Sequence, residues 1–349
     1  MRTERIYLDF NATVPLNSSC KRAMIEAMSL VGNASSVHSE GRQVRSLVEN
    51  AREKIAESLD AEPENLIFTS GATEGAALLL KGTNRVCAGV EHPCVSSWCE
   101  KSLRVKKNGK IEIINADQSA VQLANSETGI LQELPENLYM SDIVQAVGKV
   151  HFSFKKSGIS SVIISGHKIG GPPGVGAVVT KPDFEVEPQL IGGGQEKGRR
   201  SGTENLISIV GFAAALEASK QEFYEGNWEE VKELRNFLED ELANVSPDTI
   251  FIGKEHDRLP NTSCIVTPGW IGQTQVMQMD LAGCSISAGS ACSSGKIGES
   301  DTLTSMGWDR ELANCSIRVS IGTTTTKSEI RTFVKEWSRV KIDRKRKVA

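Results

Sequence analysis

Aromatic residues make up only 5% of this 349-residue chain, and no stretch approaches the roughly 20 consecutive apolar residues that a membrane-spanning helix needs. The first shortage means that aliphatic side chains must fill the interior. The second argues against a helical membrane protein, and no basic, apolar and small-residue succession at the start marks an export signal, so a cytoplasmic protein is expected. Charge of one sign is lacking as well. Forty Lys and Arg against 44 Asp and Glu leave a net charge of −4, which gives no general attraction to nucleic acid or to an anionic membrane. The one basic cluster, Lys341, Arg344, Lys345, Arg346 and Lys347, follows the helical apolar positions Ile330, Phe333, Val334, Trp337 and Val340 and reads as a solvated helix end. The eight cysteines show neither CxxC pairs nor the density of a disulfide scaffold, so no metal site is expected and most thiols should be reduced.

What is present is patterned aliphatic sequence. Helical spacing is clearest over 39–59, where Val44, Leu47, Val48, Ala51, Ile55 and Leu59 recur three and four apart. The run Leu66-Ile67-Phe68 then enters a small-residue turn, Thr69 to Glu74, before an Ala/Leu-rich segment: strand, turn, helix. Short apolar runs at 111–114, 150–154, 161–164 and 175–179 read as strands of a buried, mostly parallel sheet. Helices dominate 204–245. Beyond them Ile250 to Ile252, Ser263 to Val266, a helix near 273–282, Ser285 to Ser287 and Ile317 to Ser320 alternate again. The fold class is α/β, a large domain followed by a smaller α+β one.

Five constellations carry chemistry. Lys168 stands in Ser165-Gly166-His167-Lys168-Ile169-Gly170-Gly171, just past an apolar run. A lysine at the end of a buried strand is suited to Schiff-base chemistry, because desolvation frees its amine. Asp142 and Gln145 lie a strand's length upstream and offer a carboxylate and an amide donor, the pair that a pyridoxal ring needs at its nitrogen and phenolic oxygen. The turn Thr69-Ser70-Gly71-Ala72-Thr73 presents backbone N–H groups to an anion at a helix start. Cys292 sits in the run Ser285 to Gly295, small residues with almost no aliphatic cover, where a nucleophilic thiol can be reached. Arg318, set in a strand, offers either a bidentate clamp for a carboxylate or a structural ion pair.

In this order the motifs resemble the cysteine desulfurases of the NifS/IscS-like group, within the class V aminotransferases of fold-type I pyridoxal enzymes. The resemblance runs nearly end to end, through Tyr7 to Thr13, Gly32 to His38, Phe68 to Glu74, Glu91-His92, Glu127 to Gly129, Asp142 to Gln145, Ser165 to Lys168, Gly192 to Glu196, Arg200 to Asn205, Ser290 to Cys292 and Arg318. It implies a mostly parallel seven-stranded-type sheet in a large domain, 15–246, with 1–14 and 247–349 forming the small one. It also implies pyridoxal 5′-phosphate bound to Lys168, with His92 over the ring, Asp142 at the pyridine nitrogen and Gln145 at the phenolic oxygen. Ala72, Thr73, Ser165 and His167 would meet the phosphate, with Thr203 reaching in from a second subunit of a homodimer, and Ser126 would stand at a further cofactor-contacting position. Asn11, Asn125 and Arg318 would bind the L-cysteine substrate, and Cys292 would take its sulfur and pass it to an acceptor protein.

The chain also departs from that pattern. Ser126 replaces the second of two asparagines, Gly75-Ala76-Ala77 stand where asparagines are usual, and the stretches 92–125 and 127–142 are each short by about a helix, so one face of the sheet should be thinly covered.

Overall fold

The chain opens on a two-residue strand, Ile6–Tyr7 (β1), and two helices, Ser18–Met28 (α1) and Ser39–Leu59 (α2). The computed structural model describes residues 5–289 and 300–348. In α2 the three-and-four spacing becomes a buried face: Val44, Val48, Ala51, Ile55 and Leu59 are each 4% exposed or less. Burying each large side chain of that stripe stabilises by roughly 1.5–3 kcal/mol. His38 caps the helix by accepting from the Gly41 N–H, and Asp60 ends it in the left-handed conformation.

Leu66–Thr69 (β2) turns at Ser70-Gly71 into Ala72–Leu80 (α3). There follow Val86–Ala88 (β3), Pro93–Ser96 (α4), Glu100–Leu103 (β4), Ser119–Ala120 (β5), Ser141–Asp142 (β6), Phe154–Ser157 (α5), Ser161–Ser165 (β7) and Gly176–Thr180 (β8). One ladder orders β2-β8-β7-β6 and another β4-β3-β5. A parallel bridge from Ala120 to Met140, with the Leu123 N–H on Asp142 O, joins them. The result is one seven-stranded sheet in which only β8 runs against the others, the mostly parallel sheet expected. Strands β7 and β8 are buried along their whole length, as strands covered on both faces are.

Two expected strands do not form. Ile111 makes a single bridge to Val105 across the Asn108-Gly109 turn, and the run 150–154 leads into α5 instead of pairing. The shortened connections show directly: no α-helix lies between Ser97 and Ser153, and Trp98 and Ile114 stand exposed.

Leu206–Tyr224 (α6) and Asn227–Val245 (α7) are the expected long helices. Then come Ile250–Ile252 (β9), Thr262–Val266 (β10), Gly272–Leu281 (α8), Cys284–Ser285 (β11), Ser287–Ala288 (β12), Asp301–Ser305 (α9), Arg310–Ala313 (α10), Ser316–Ser320 (β13) and Lys327–Val348 (α11). Here the sheet is antiparallel, ordered β12-β13-β10-β9, while β1 pairs in parallel with β11. Ile330, Phe333, Val334, Trp337 and Val340 of α11 are all buried, in a core shared with Trp228 to Leu242 of α7 and with Trp270, whose ring centre lies 5.3 Å from that of Trp337. Among the described residues no helix is long and apolar enough to cross a membrane.

Candidate active site

A cavity of about 420 Å³ opens where β6 and β7 end and β2 turns into α3, with Asn11-Ala12 and Arg318 of β13 also in its wall. Open α/β sheets hold ligands at the carboxyl ends of their strands, and small-molecule sites run from about 300 to 1,000 Å³. Of the residues marked out in the sequence, Asn11, Ala72, Thr73, His92, Ser126, Asp142, Gln145, Ser165, His167, Lys168 and Arg318 line it. Thr203 is exposed and Asn125 is buried elsewhere; neither lines the cavity. Cys292 lies outside the described residues.

Strand β7 ends at Ser165, and a short turn, Gly166–Lys168, carries the lysine off the sheet. Gly166 suits that turn because a Cβ there would stand 3.0 Å from Pro172 O. Lys168 is half-buried, and its Nζ donates to the carbonyls of Asn11 at 2.6 Å and Ala12 at 2.7 Å. Strand β6 delivers Asp142, whose Oδ1 accepts the Val144 N–H at 2.9 Å. Burial pushes this carboxyl above its ordinary range, against that hydrogen bond and the fields of His92 and Lys168. A carboxylate so placed gains from a cation such as a protonated pyridine nitrogen. His92 accepts the Cys94 N–H on Nδ1 at 3.2 Å, which leaves Nε2 as the ring's donor. Behind Asp142, burial raises the Glu91 carboxyl well above its ordinary range against the hydrogen bond from the Gln122 N–H, and the Asp142 field adds to it.

Helix α3 starts at the cavity with Gly71 at its N-cap and no side chain capping it, so its first-turn N–H groups at Ala72 and Thr73 are available to an anion. Gly176 lets β8 pass close beneath: a Cβ there would meet Gly71 Cα at 2.8 Å. The small residues that follow have a packing reason as well. A Cβ on Gly75 would sit 3.0 Å from Val178 Cγ2, which leaves no room for a longer polar side chain. Burial and the nearby Lys168 charge lower His167 to about 4, so at pH 7 its imidazole contributes hydrogen bonding without charge. Arg200 grips Glu74 through two bonds of 2.7 and 3.2 Å, which ties the Arg200 to Asn205 stretch to α3.

At the other end both alternatives for Arg318 are visible. Its Nη2 pairs with Asp9 at 2.7 Å and its Nη1 donates to Ser126 O at 3.0 Å, yet the residue still lines the cavity, with Nε unpartnered among the described residues. Because Ser126 acts here through its carbonyl, which also accepts from Asn11 Nδ2 at 3.1 Å, exchanging asparagine for serine leaves these contacts intact. Asn125 spends its polar atoms inside the fold. Its Oδ1 accepts from the Glu127 and Thr128 N–H groups, and its Nδ2 donates to Val90 O, so it braces a turn instead of facing a substrate. Buried Glu127 accepts from Ser300 Oγ at 2.6 Å, and a Cβ at Gly289 would lie 2.0 Å from the same oxygen. The residues flanking 290–299 thus converge on one carboxyl group.

Sequence reasoning missed several residues here. Asp9 sat inside the Tyr7 to Thr13 motif without a role, Lys149 just past Asp142 to Gln145 went unremarked, and Cys94 was one of the thiols given no role, although it lines the cavity. Lys149 stands four residues after Gln145, a spacing that signals contact along a helical turn. Its Nζ donates to Gln145 Oε1 at 3.0 Å. Burial, with the Lys168 and Arg318 charges adding, lowers its pKa from 10.5 to about 7. The unfolded chain therefore binds this proton more tightly, so the destabilisation is full below pH 7 and is relieved as pH rises toward 10.5. Thermal unfolding of Lys149→Met without cofactor should show a gain of a few kcal/mol near pH 7 that shrinks at higher pH. An equal gain throughout would contradict the burial argument.

Fold-type I pyridoxal enzymes are the class in which such a sheet presents an amine, a buried carboxylate and an open helix start to one cavity. The chain belongs to the class V aminotransferase family, whose model matches residues 6–333, and to its NifS/IscS-like group. It is 32% identical to the putative cysteine desulfurase IscS 1 of Bacillus subtilis, over 95% of this chain and 97% of that protein. To the cysteine desulfurase NifS of Azotobacter vinelandii it is 33% identical, over 95% of this chain and 91% of the relative. A solved NifS-like protein from Rickettsia africae superposes with a TM-score of 0.86 at 30% identity, covering 97% of this chain and 99% of that one. The family is one of pyridoxal 5′-phosphate enzymes.

Proposed function

We propose that the chain is a pyridoxal 5′-phosphate-dependent cysteine desulfurase, which converts L-cysteine to L-alanine and leaves the sulfur on Cys292. The observation that carries this is the convergence of Lys168, Asp142 and the open start of α3 on one cavity. The residues fit the cofactor: an amine for its aldehyde, a buried carboxylate for its ring nitrogen, and backbone N–H groups with Ser165 and His167 for its phosphate. When bound, the cofactor supplies an electron sink at the substrate's Cα.

The chain's own residues do the rest. Asp142 would keep the ring nitrogen protonated, and Gln145 would donate to the phenolic oxygen. Lys168, whose Nζ donates to the carbonyls of Asn11 and Ala12, would hold the cofactor aldehyde and, once released, move the Cα proton. Arg318 and Asn11 receive the substrate carboxylate, the arginine being positioned by Asp9. The Cys292 thiolate attacks the substrate sulfur. The carbon–sulfur bond breaks with its electron pair left on carbon, carbon takes a proton, and Cys292 keeps the sulfur as a persulfide. Regeneration of the thiol calls for a sulfur acceptor, a carrier or scaffold protein in this reading. Thr203, exposed at the surface, is the residue through which a second copy would complete the site, making the working form a homodimer.

The test is the fate of L-cysteine with added cofactor and a thiol reductant. Alanine and sulfide should form in equal amounts with the wild type, and Cys292→Ser should reduce both to background. Unchanged sulfide from Cys292→Ser would mean that sulfur leaves by elimination, as in a lyase.

A further inference from the structure

Lys149 is 3% exposed, and no carboxylate pairs with it among the described residues. The charges that act on it, Lys168 and Arg318, are of its own sign. It also borders a second cavity of about 320 Å³ behind Lys168, where Glu222, Trp228 and Phe10 stand. Its turn is built to place it there: Gly148 takes a φ of 76°, and a Cβ on that glycine would lie 2.1 Å from Ser219 Oγ. A buried, unpaired amine opposes folding, and a methionine would fill the same space without that cost. Stability therefore does not account for a lysine here.

The hydrogen bonds do. A glutamine amide has two nearly isosteric ends, an acceptor oxygen and a donor nitrogen, and nothing in its shape decides which faces a ligand. Around Gln145 the choice is made twice. Nε2 donates to Asn11 O at 2.9 Å, an oxygen that can only accept, and Oε1 accepts a hydrogen bond from Lys149 Nζ at 3.0 Å. Asn11 O also accepts from Lys168 Nζ, so the two lysines meet through one carbonyl and one amide.

We propose that Lys149 is a positioning residue, which holds the Gln145 amide with its oxygen turned back and its nitrogen toward Asn11 and the cavity. This rests on the proposed function, in which Gln145 donates to the phenolic oxygen of the cofactor. With Lys149 gone, only the Asn11 carbonyl still orients the amide, its oxygen turns more readily toward the phenolic oxygen, and two acceptors then oppose each other. The phenolate becomes harder to maintain, so the cofactor is held less tightly and its visible absorption titrates at higher pH.

Four full-length proteins loaded with pyridoxal 5′-phosphate test this: wild type, Lys149→Met, Gln145→Met and the double variant. The readouts are cofactor dissociation on dilution and the pH midpoint of the visible band. Lys149→Met should loosen the cofactor about tenfold and raise the midpoint. In the Gln145→Met background the same change should do neither, since a residue acting through Gln145 has nothing left to orient. Effects of undiminished size in that background overturn the proposal, as does a Lys149→Met protein matching the wild type in both readouts. A wild type that takes up no cofactor overturns instead the functional reading beneath it.

Discussion

In Lys168→Ala, turnover of L-cysteine falls by about 10⁴-fold or more, and the cofactor-loaded protein loses the visible band of the wild type. Two separate jobs end with one side chain. In the proposed reaction Lys168, the lysine in the cavity wall, would both hold the cofactor aldehyde and move the Cα proton. No other lysine lines the cavity among the described residues, and Lys149 is turned away behind Gln145. The fold should not suffer. Lys168 is only half-buried and its two acceptors, Asn11 O and Ala12 O, are backbone carbonyls that water can serve in its absence. Steady-state alanine formation and the absorption spectrum check the prediction together. A coloured Lys168→Ala protein, or one that retains a few per cent of the activity, would contradict it.

Asp142→Asn should lower turnover on the order of 10²–10³-fold while leaving the protein folded and able to take up cofactor. The substitution keeps the shape and keeps an oxygen for the Val144 N–H, so β6 and its turn survive. What disappears is the charge. Burial raises this carboxyl pKa, so under the proposed function the charge would be sustained by the cofactor's protonated ring nitrogen, and a neutral amide could not hold that proton. Without that proton the electron sink is weak and loss of the Cα proton slows. The effect therefore belongs in kcat more than in KM. An unchanged kcat would place the pyridine nitrogen elsewhere.

Much of this site was legible in the chain before any coordinates. Lys168 stood out less for its own motif, which also suits a surface lysine, than for its company with Asp142, Gln145 and the family pattern, and the structure puts it in the cavity wall. Asp142 and Gln145 were readable from their distance upstream, and the start of α3 from its small residues. The limits are equally physical. Ile111 to Ile114 has the composition of a strand, but the Asn108-Gly109 turn folds it back onto Val105 and no neighbour continues the ladder. The seven-strand order depends on pairing across distant segments, such as Ala120 with Met140, which periodicity does not record. Asn125 was expected at the substrate from the family resemblance alone, whereas its side chain accepts three local hydrogen bonds that exist only once the turn has closed. Lys149 was silent for the opposite reason: a lysine after a glycine reads as surface, and only packing shows it buried against a glutamine.

Reductive trapping puts the central claim to its most direct test. The wild-type protein, loaded with pyridoxal 5′-phosphate and reduced with borohydride, should on peptide mapping carry the pyridoxyl group on Lys168 and on no other residue. A label on Lys149 or on a surface lysine, with Lys168 unmodified, would contradict the account.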